Sequence, residues 1–183
     1  MTMQDKPNDL LLLAGKVLTY VAQLGLAIGG IAIAIAAPLM LIFNDEVTVA
    51  FADKASDVSG GAFIGLTLGL MAIAFCLIAA AFIFFGKLRA IIASVGDGDP
   101  FVPENAERLN LMAWLALVIQ VLMIPAMGLG LMFAKWADSV EHADITIDAG
   151  LDVEGILMVI VLFILARVFK HGAAMREDLE GTV

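Results

Sequence analysis

The run DSVEHADITID, residues 138–148, gathers side chains that bind divalent cations: Asp138, Glu141, His142, Asp144 and Asp148 offer carboxylate oxygens and one imidazole. Their spacing matches no ligand motif, and a solvated acidic loop accounts for them. GDGDP, residues 96–100, places two acids at alternate positions as a calcium loop does. It lacks the third acid, the glycine after it and the glutamate at the required distance, so calcium is excluded there. Nucleophilic chemistry is served no better. Cys76 lies in the uncharged run AIAFCLIAAAF and reads as buried, His142 and His171 stand on separate segments, and no nucleophile is spaced from a base in a recognisable way. The chain reads as a non-enzyme with no metal and no cofactor, whose function lies in its surfaces.

Those surfaces are set by an oily composition. With 183 residues, 62% hydrophobic and only 16% charged, the chain has too few polar side chains to solvate a soluble domain, and a bilayer is the expected solvent. One cysteine leaves neither a disulfide framework nor a cysteine-based metal site. The opening MTMQDKPNDLLLLAGK has no basic n-region or small-residue cleavage site, so the N-terminus reads as retained. Charge-free runs from Val17 to Phe43, Val58 to Gly86 and Leu109 to Ala134 each exceed the roughly 20 residues that cross about 30 Å of hydrocarbon. A fourth run, 151–169, is about 28 Å long as a helix. It spans if Asp152 and Glu154 sit at one rim while Arg167 and Lys170 snorkel to the other.

Orientation follows from Lys and Arg. The N-terminal segment, 87–108 and 167–183 hold Lys6, Lys16, Lys87, Arg89, Arg108, Arg167, Lys170 and Arg176, against Lys54 and Lys135 in 44–57 and 135–154. Both termini and the middle segment are expected in the cytoplasm, with Tyr20 and Trp114 near the inner rim and Trp136 near the outer. The outer segments are acidic. In them VTV at Val47 and ITI at Ile145 alternate as short β-strands do.

The expected architecture is an all-α membrane protein: one domain, 1–183, as a four-helix transmembrane bundle with both termini inside. Its spans are 17–43, 58–86, 109–134 and 151–169, with a cytoplasmic elbow at 87–108, a tail at 170–183, helical overhangs inside and small acidic loops outside. Helices in lipid associate largely by close approach through small residues. Gly61, Gly65 and Gly69 recur every four residues, as do Gly25 and Gly29, and are read as packing positions inside the bundle, with a homo-oligomer face as the alternative. Pro125, near Gly128 and Gly130, predicts a kink in the third span. Polar groups inside the first three spans include Gln23, Thr67 and Gln120, expected to bridge neighbouring helices; none of the three spans holds an acidic or basic residue, which disfavours a proton-coupled transporter.

The elbow departs from this oiliness. KLRAIIASV continues the helical spacing beyond Gly86, Gly96 ends it, Asp97 to Pro100 form a turn, and Pro103 suits the first position of a new helix with Glu104 in its first turn. Phe101 is available to tuck between the two protruding helices. GDGDPFVPENAERL and the tail LFILARVFKHGAAMREDLEGTV together resemble a family of small four-span bacterial membrane proteins described as domain of unknown function 2975. Gly98, Pro100, Phe101, Glu104, Asn105, Arg108 and Leu109 carry the first likeness; Ala166, Arg167, Val168, Phe169, Gly172, Glu177, Thr182 and Val183 carry the second. Val102 stands where such sequences often have Thr or Ser, and it cannot cap through a side-chain oxygen.

The resemblance implies a helical protein of the bacterial inner membrane with no established activity. Members are often encoded beside a small helix-turn-helix regulator, which implies a cytoplasmic face that binds or sequesters such a protein. Its candidate contacts are Asp97, Asp99, Pro100, Phe101, Glu104, Asn105, Arg108, Arg167, Phe169, Arg176, Glu177 and Asp178. The partners are then the lipid bilayer, that regulator and a second copy of the chain, with no direct contact to nucleic acid. Two alternatives remain open: elbow and tail pack on each other and stay solvated, or the protein is a small channel or transporter for a neutral solute. A reporter enzyme fused after Val183 should read cytoplasmic in intact cells, and a periplasmic signal would overturn the orientation.

Overall fold

The computed structural model describes residues 6–52, 60–137 and 152–180. Among these the regular structure is helical throughout: α1 (Lys6–Ile42), α2 (Asn44–Ala52), α3 (Gly60–Gly96), α4 (Pro103–Ala137) and α5 (Val153–Glu180). At 37 residues each, α1 and α3 are about 55 Å long, roughly 25 Å more than the hydrocarbon needs. Their ends must therefore project beyond it. Three helices, over Leu10–Ile42, Gly61–Gly96 and Pro103–Ala134, are long and apolar enough to cross a membrane. Along α1 the exposed apolar residues Val17, Val21, Leu24, Ile28, Ile31, Ile35 and Leu39 fall three or four apart on one stripe. Water would oppose such a surface at about 25 cal/mol per Å², so lipid is its solvent.

Local chemistry sets the helix ends. Asp152 caps α5, its carboxylate accepting from the Gly155 amide at 2.9 Å, and Glu154 adds negative charge in the first turn. Asp45 and Glu46 do the same for α2. The end of α3 is a Schellman turn: the Gly98 amide donates to Val95 O at 3.1 Å and the Asp99 amide to Ser94 O at 3.0 Å. That geometry requires a left-handed residue, supplied by Gly98 at φ +83°. Gly96 is the last helical residue as expected, but the glycine that permits the stop is Gly98. Both α1 and α4 continue past an internal proline, Pro38 and Pro125, leaving the carbonyls of Ala34 and Val121 without the usual helical donor.

The chain divides into two compact units, residues 1–27, 80–119 and 152–183 in the first and 28–79 and 120–151 in the second. In the first, Ile91, Leu109, Met112, Ala113, Leu162 and Ala166 form a buried cluster flanked by Phe84, Leu88, Ala116, Phe163 and Phe169. α3, α4 and α5 all contribute. α1 joins through a polar tie: Gln23 Nε2 donates to Phe82 O at 3.1 Å, and Gln23 Oε1 accepts from Arg89 Nη1 at 2.9 Å. The Arg89 guanidinium lies 4.5 Å from the centre of the Tyr20 ring. A Cβ on Gly86 would fall 3.0 Å from Gln23 Nε2, so a side chain there would displace the amide.

In the second unit Gly29 and Gly30 meet Ile78, Gly69 meets Leu129, and the rings of Phe63 and Phe133 lie 6.3 Å apart. The glycine pattern is thus only partly a packing device. Gly25, Gly61 and Gly65 have nothing within 4 Å of a Cβ position among the described residues. Large side chains, Ile78 and Leu129, meet the glycines at Gly29, Gly30 and Gly69, not along the whole stripe. The Thr67 hydroxyl, expected to reach a neighbour, donates to its own helix at Phe63 O, 2.9 Å away. Val47–Val49, which alternate like a strand, lie inside α2; acids in its first turn and the Val47 amide bonded back to Phe43 O favour the helix over three alternating residues. The segment at Ile145 lies outside the described residues.

Candidate functional site

The elbow is built around one amide. Asn105, in the first turns of α4, is fully buried at 0% exposure. Its Nδ2 donates to Ser94 Oγ on α3 at 2.6 Å and to Pro100 O in the turn at 2.9 Å, while Oδ1 accepts from Arg108 Nη1 at 2.7 Å. Ser94 passes the chain on, donating to Ile91 O at 2.8 Å. Both N–H donors of the amide are used, and the acceptor takes a charged donor, among the stronger hydrogen bonds available. The turn between two long apolar helices thus has its polar groups satisfied from within. Val102, unable to cap by side chain, supplies a backbone carbonyl that accepts from the Asn105 amide at 3.0 Å.

α5 docks on this elbow through an aromatic. The Phe101 ring lies 5.3 Å from that of Phe169, and a Cβ on Gly172 would come within 2.8 Å of its Cδ1. Only glycine admits the ring so closely. Phe101 therefore packs on α5, not between α3 and α4 as the sequence led one to expect. Arg176 makes an ion pair with Asp99. Both partners are well exposed, so the pair contributes at most about 1 kcal/mol; it orients α5 more than it holds it.

Of the twelve candidate contact residues, the elbow and α5 bring most together, but they do not form one outward face. Asn105 is inside the fold and acts through the shape it imposes. Arg108 is turned to Asn105, Asp99 to Arg176, and Phe169 is half-buried against Phe101. Asp97, Glu104, Arg167, Glu177 and Asp178 are exposed. Two grooves open on the flanks of α5. One, of 870 Å³, runs past Phe101, Val168, His171 and Met175. The other, of 630 Å³, lies between α4 and α5 and is lined by Glu107, Asn110, Phe163, Arg167, Lys170 and Glu177 among others. Sequence reasoning missed Ser94, visible only as a lone hydroxyl near the end of KLRAIIASV, and Gly172 as the seat for Phe101.

No group of three His, Cys, Asp or Glu side chains converges among the described residues, and the acidic run at Asp138 to Asp148 lies outside them. Cys76 is exposed on α3; an uncharged run marks contact with lipid as readily as burial in protein. Fold and surface define an all-helical, multi-pass membrane protein. The chain belongs to the family described as protein of unknown function (DUF2975), whose profile matches residues 50–183. That match covers the elbow and α5 and leaves α1 outside. Comparison with curated proteins and with solved structures gives no match.

Removing the Asn105 amide should loosen the elbow more than any exposed substitution near it. Asn105→Ala leaves Ser94 Oγ and Pro100 O without this donor and should cost about 1–3 kcal/mol. In detergent it should lower the temperature at which residues 97–102 become cleavable by protease, with Glu177→Gln on α5 as the unaffected control. Asn105→Asp, which keeps the volume but loses both N–H donors, should be destabilised as well.

Proposed function

We propose that the protein is a non-enzymatic, regulatory inner-membrane protein that holds a small helix-turn-helix regulator on its cytoplasmic face. α5 serves as a fourth span with both termini inside. Support for the span is the outward apolar surface of α5, continuous from Val153 through Ile156, Leu157, Ile160, Val161 and Ile164 to Val168. Those 16 residues cover about 24 Å, and the stems of Arg167 and Lys170 extend the reach to the rim.

The observation that carries the regulatory reading is the groove beside Phe101. Phe101 is 42% exposed and Met175 52% exposed, on a segment rich in charge and beyond the apolar run of α5. Two large apolar side chains left open beside the acids Asp97, Glu104, Glu177 and Asp178 suit a small basic module with an apolar anchor. The resemblance noted above, to a family often encoded beside a small helix-turn-helix regulator, suggests such a regulator as that module. Charge on a DNA-binding surface would then be masked at the membrane, which sequesters the regulator.

The test is first whether a small helix-turn-helix protein is encoded beside this chain, and then its co-purification from native membranes. It should be retained by the wild type and lost with Met175→Glu and with deletion of residues 172–183, while Val161→Leu on the lipid face has no effect. Retention by both altered chains, together with solute flux in liposomes that they do not change, would favour transport.

A further inference from the structure

We propose that the groove between α4 and α5 binds the headgroup of a phosphoethanolamine lipid of the inner leaflet. The inference rests on α5 as a span and not on the regulator.

The groove carries both signs of charge and leaves them unmatched. Arg167 and Lys170 line it from α5, Glu107 from α4 and Glu177 from the next turns of α5. Among the described residues none of these four makes an ion pair or hydrogen bond. Cations and carboxylates that share a 630 Å³ groove without closing on each other leave room for a group that bridges them.

Depth decides what that group is. At the foot of the groove Phe163 meets the exposed Trp114 edge to face, with ring centres 5.6 Å apart. Tryptophan concentrates at the headgroup level of a bilayer. From Phe163, Arg167 lies about 6 Å and Lys170 about 10 Å along the helix, while Glu107 is about 10 Å from Trp114 along α4. Moving outward, the groove meets apolar rings, then the guanidinium, then Lys170 level with Glu107, and finally Glu177. A glycerophospholipid offers the same order: acyl chains, a phosphodiester, and a terminal ammonium.

The residue types select among headgroups. The Arg167 fork matches two phosphate oxygens, with Lys170 as a point charge beside it. A primary ammonium has three N–H donors for the carboxylate of Glu107, the acid level with Lys170; Glu177, about 15 Å beyond Arg167 along α5, is too far out to share it. A choline headgroup has no N–H to donate, and a glycerol headgroup brings no positive charge to Glu107.

Full-length protein, delipidated and offered phosphatidylethanolamine, phosphatidylcholine and phosphatidylglycerol of identical acyl chains, reads the preference by native mass spectrometry. The wild type should retain the ethanolamine lipid about tenfold more than either other lipid, the ratio expected of about one additional charged contact. Arg167→Gln with Lys170→Gln should abolish the preference, and Arg167→Lys should keep part of it. Glu107→Gln should equalise ethanolamine and choline lipids while both still bind, and Glu177→Gln should leave the preference intact. Unchanged helix content by circular dichroism separates these effects from misfolding, and either the Arg167, Lys170 double variant or Glu107→Gln alone suffices. Equal retention of the three lipids by the wild type, a glycerol-lipid preference, or a second copy of the chain bound in place of lipid would overturn the proposal. With no other protein present, these outcomes are independent of whether the regulator binds.

Discussion

A turn between two long apolar helices faces one demand that the hydrophobic effect does not meet: the polar groups packed beneath it, out of reach of water, must find partners. Asn105 meets it. With its amide fully enclosed, it fastens the end of α3 through Ser94, the turn through Pro100 and the start of α4 through Arg108. In a low-dielectric interior such a network is strong when complete and expensive when broken, because each released group stays buried and unpaired. The elbow's shape therefore has little freedom. The left-handed Gly98 and the buried cluster around Met112 and Ala113 are consistent with that same shape.

From a fixed elbow the position of α5 follows. Phe101 projects from the turn into the space that Gly172 leaves, Phe169 closes beside it, and Leu162 and Ala166 continue the contact into the shared core. The Arg176 to Asp99 pair finishes the arrangement at the surface, where screening keeps it weak. Elbow and tail thus do pack on each other, yet this packing leaves the two flanks of α5 open. One flank is apolar with acids nearby and suits a protein partner. The other runs from aromatic rings to mixed charge, as a phospholipid does from chain to headgroup.

Much of the fold was legible because lipid imposes a crude rule: long stretches without charge must be helices. Three spans, the end of α3 at Gly96 and the start of α4 at Pro103 follow from that rule and from simple turn chemistry. Less was legible where tertiary geometry chooses among equals. Gly61, Gly65 and Gly69 look alike in sequence, but among the described residues only Gly69 meets a neighbouring side chain, because contact depends on where helices cross. Gly96 and Gly98 look equally able to stop a helix, and only the hydrogen-bond pattern picks Gly98. Asn105 was visible as part of a signature and was read as a contact for a partner. A buried amide and an exposed one share the same letter, and neighbouring charges such as Glu104 and Arg108 disguised the burial.

Amide hydrogen exchange of the intact chain in lipid nanodiscs tests the central claim most directly. If the Asn105 network locks the elbow and α5 into one body, peptides covering 94–113 and 159–173 should be protected to similar degrees in the wild type and should lose protection together in Asn105→Ala. Contradiction would come from α5 peptides exchanging freely while the elbow stays protected, or from an Asn105→Ala chain whose elbow exchanges as slowly as the wild type.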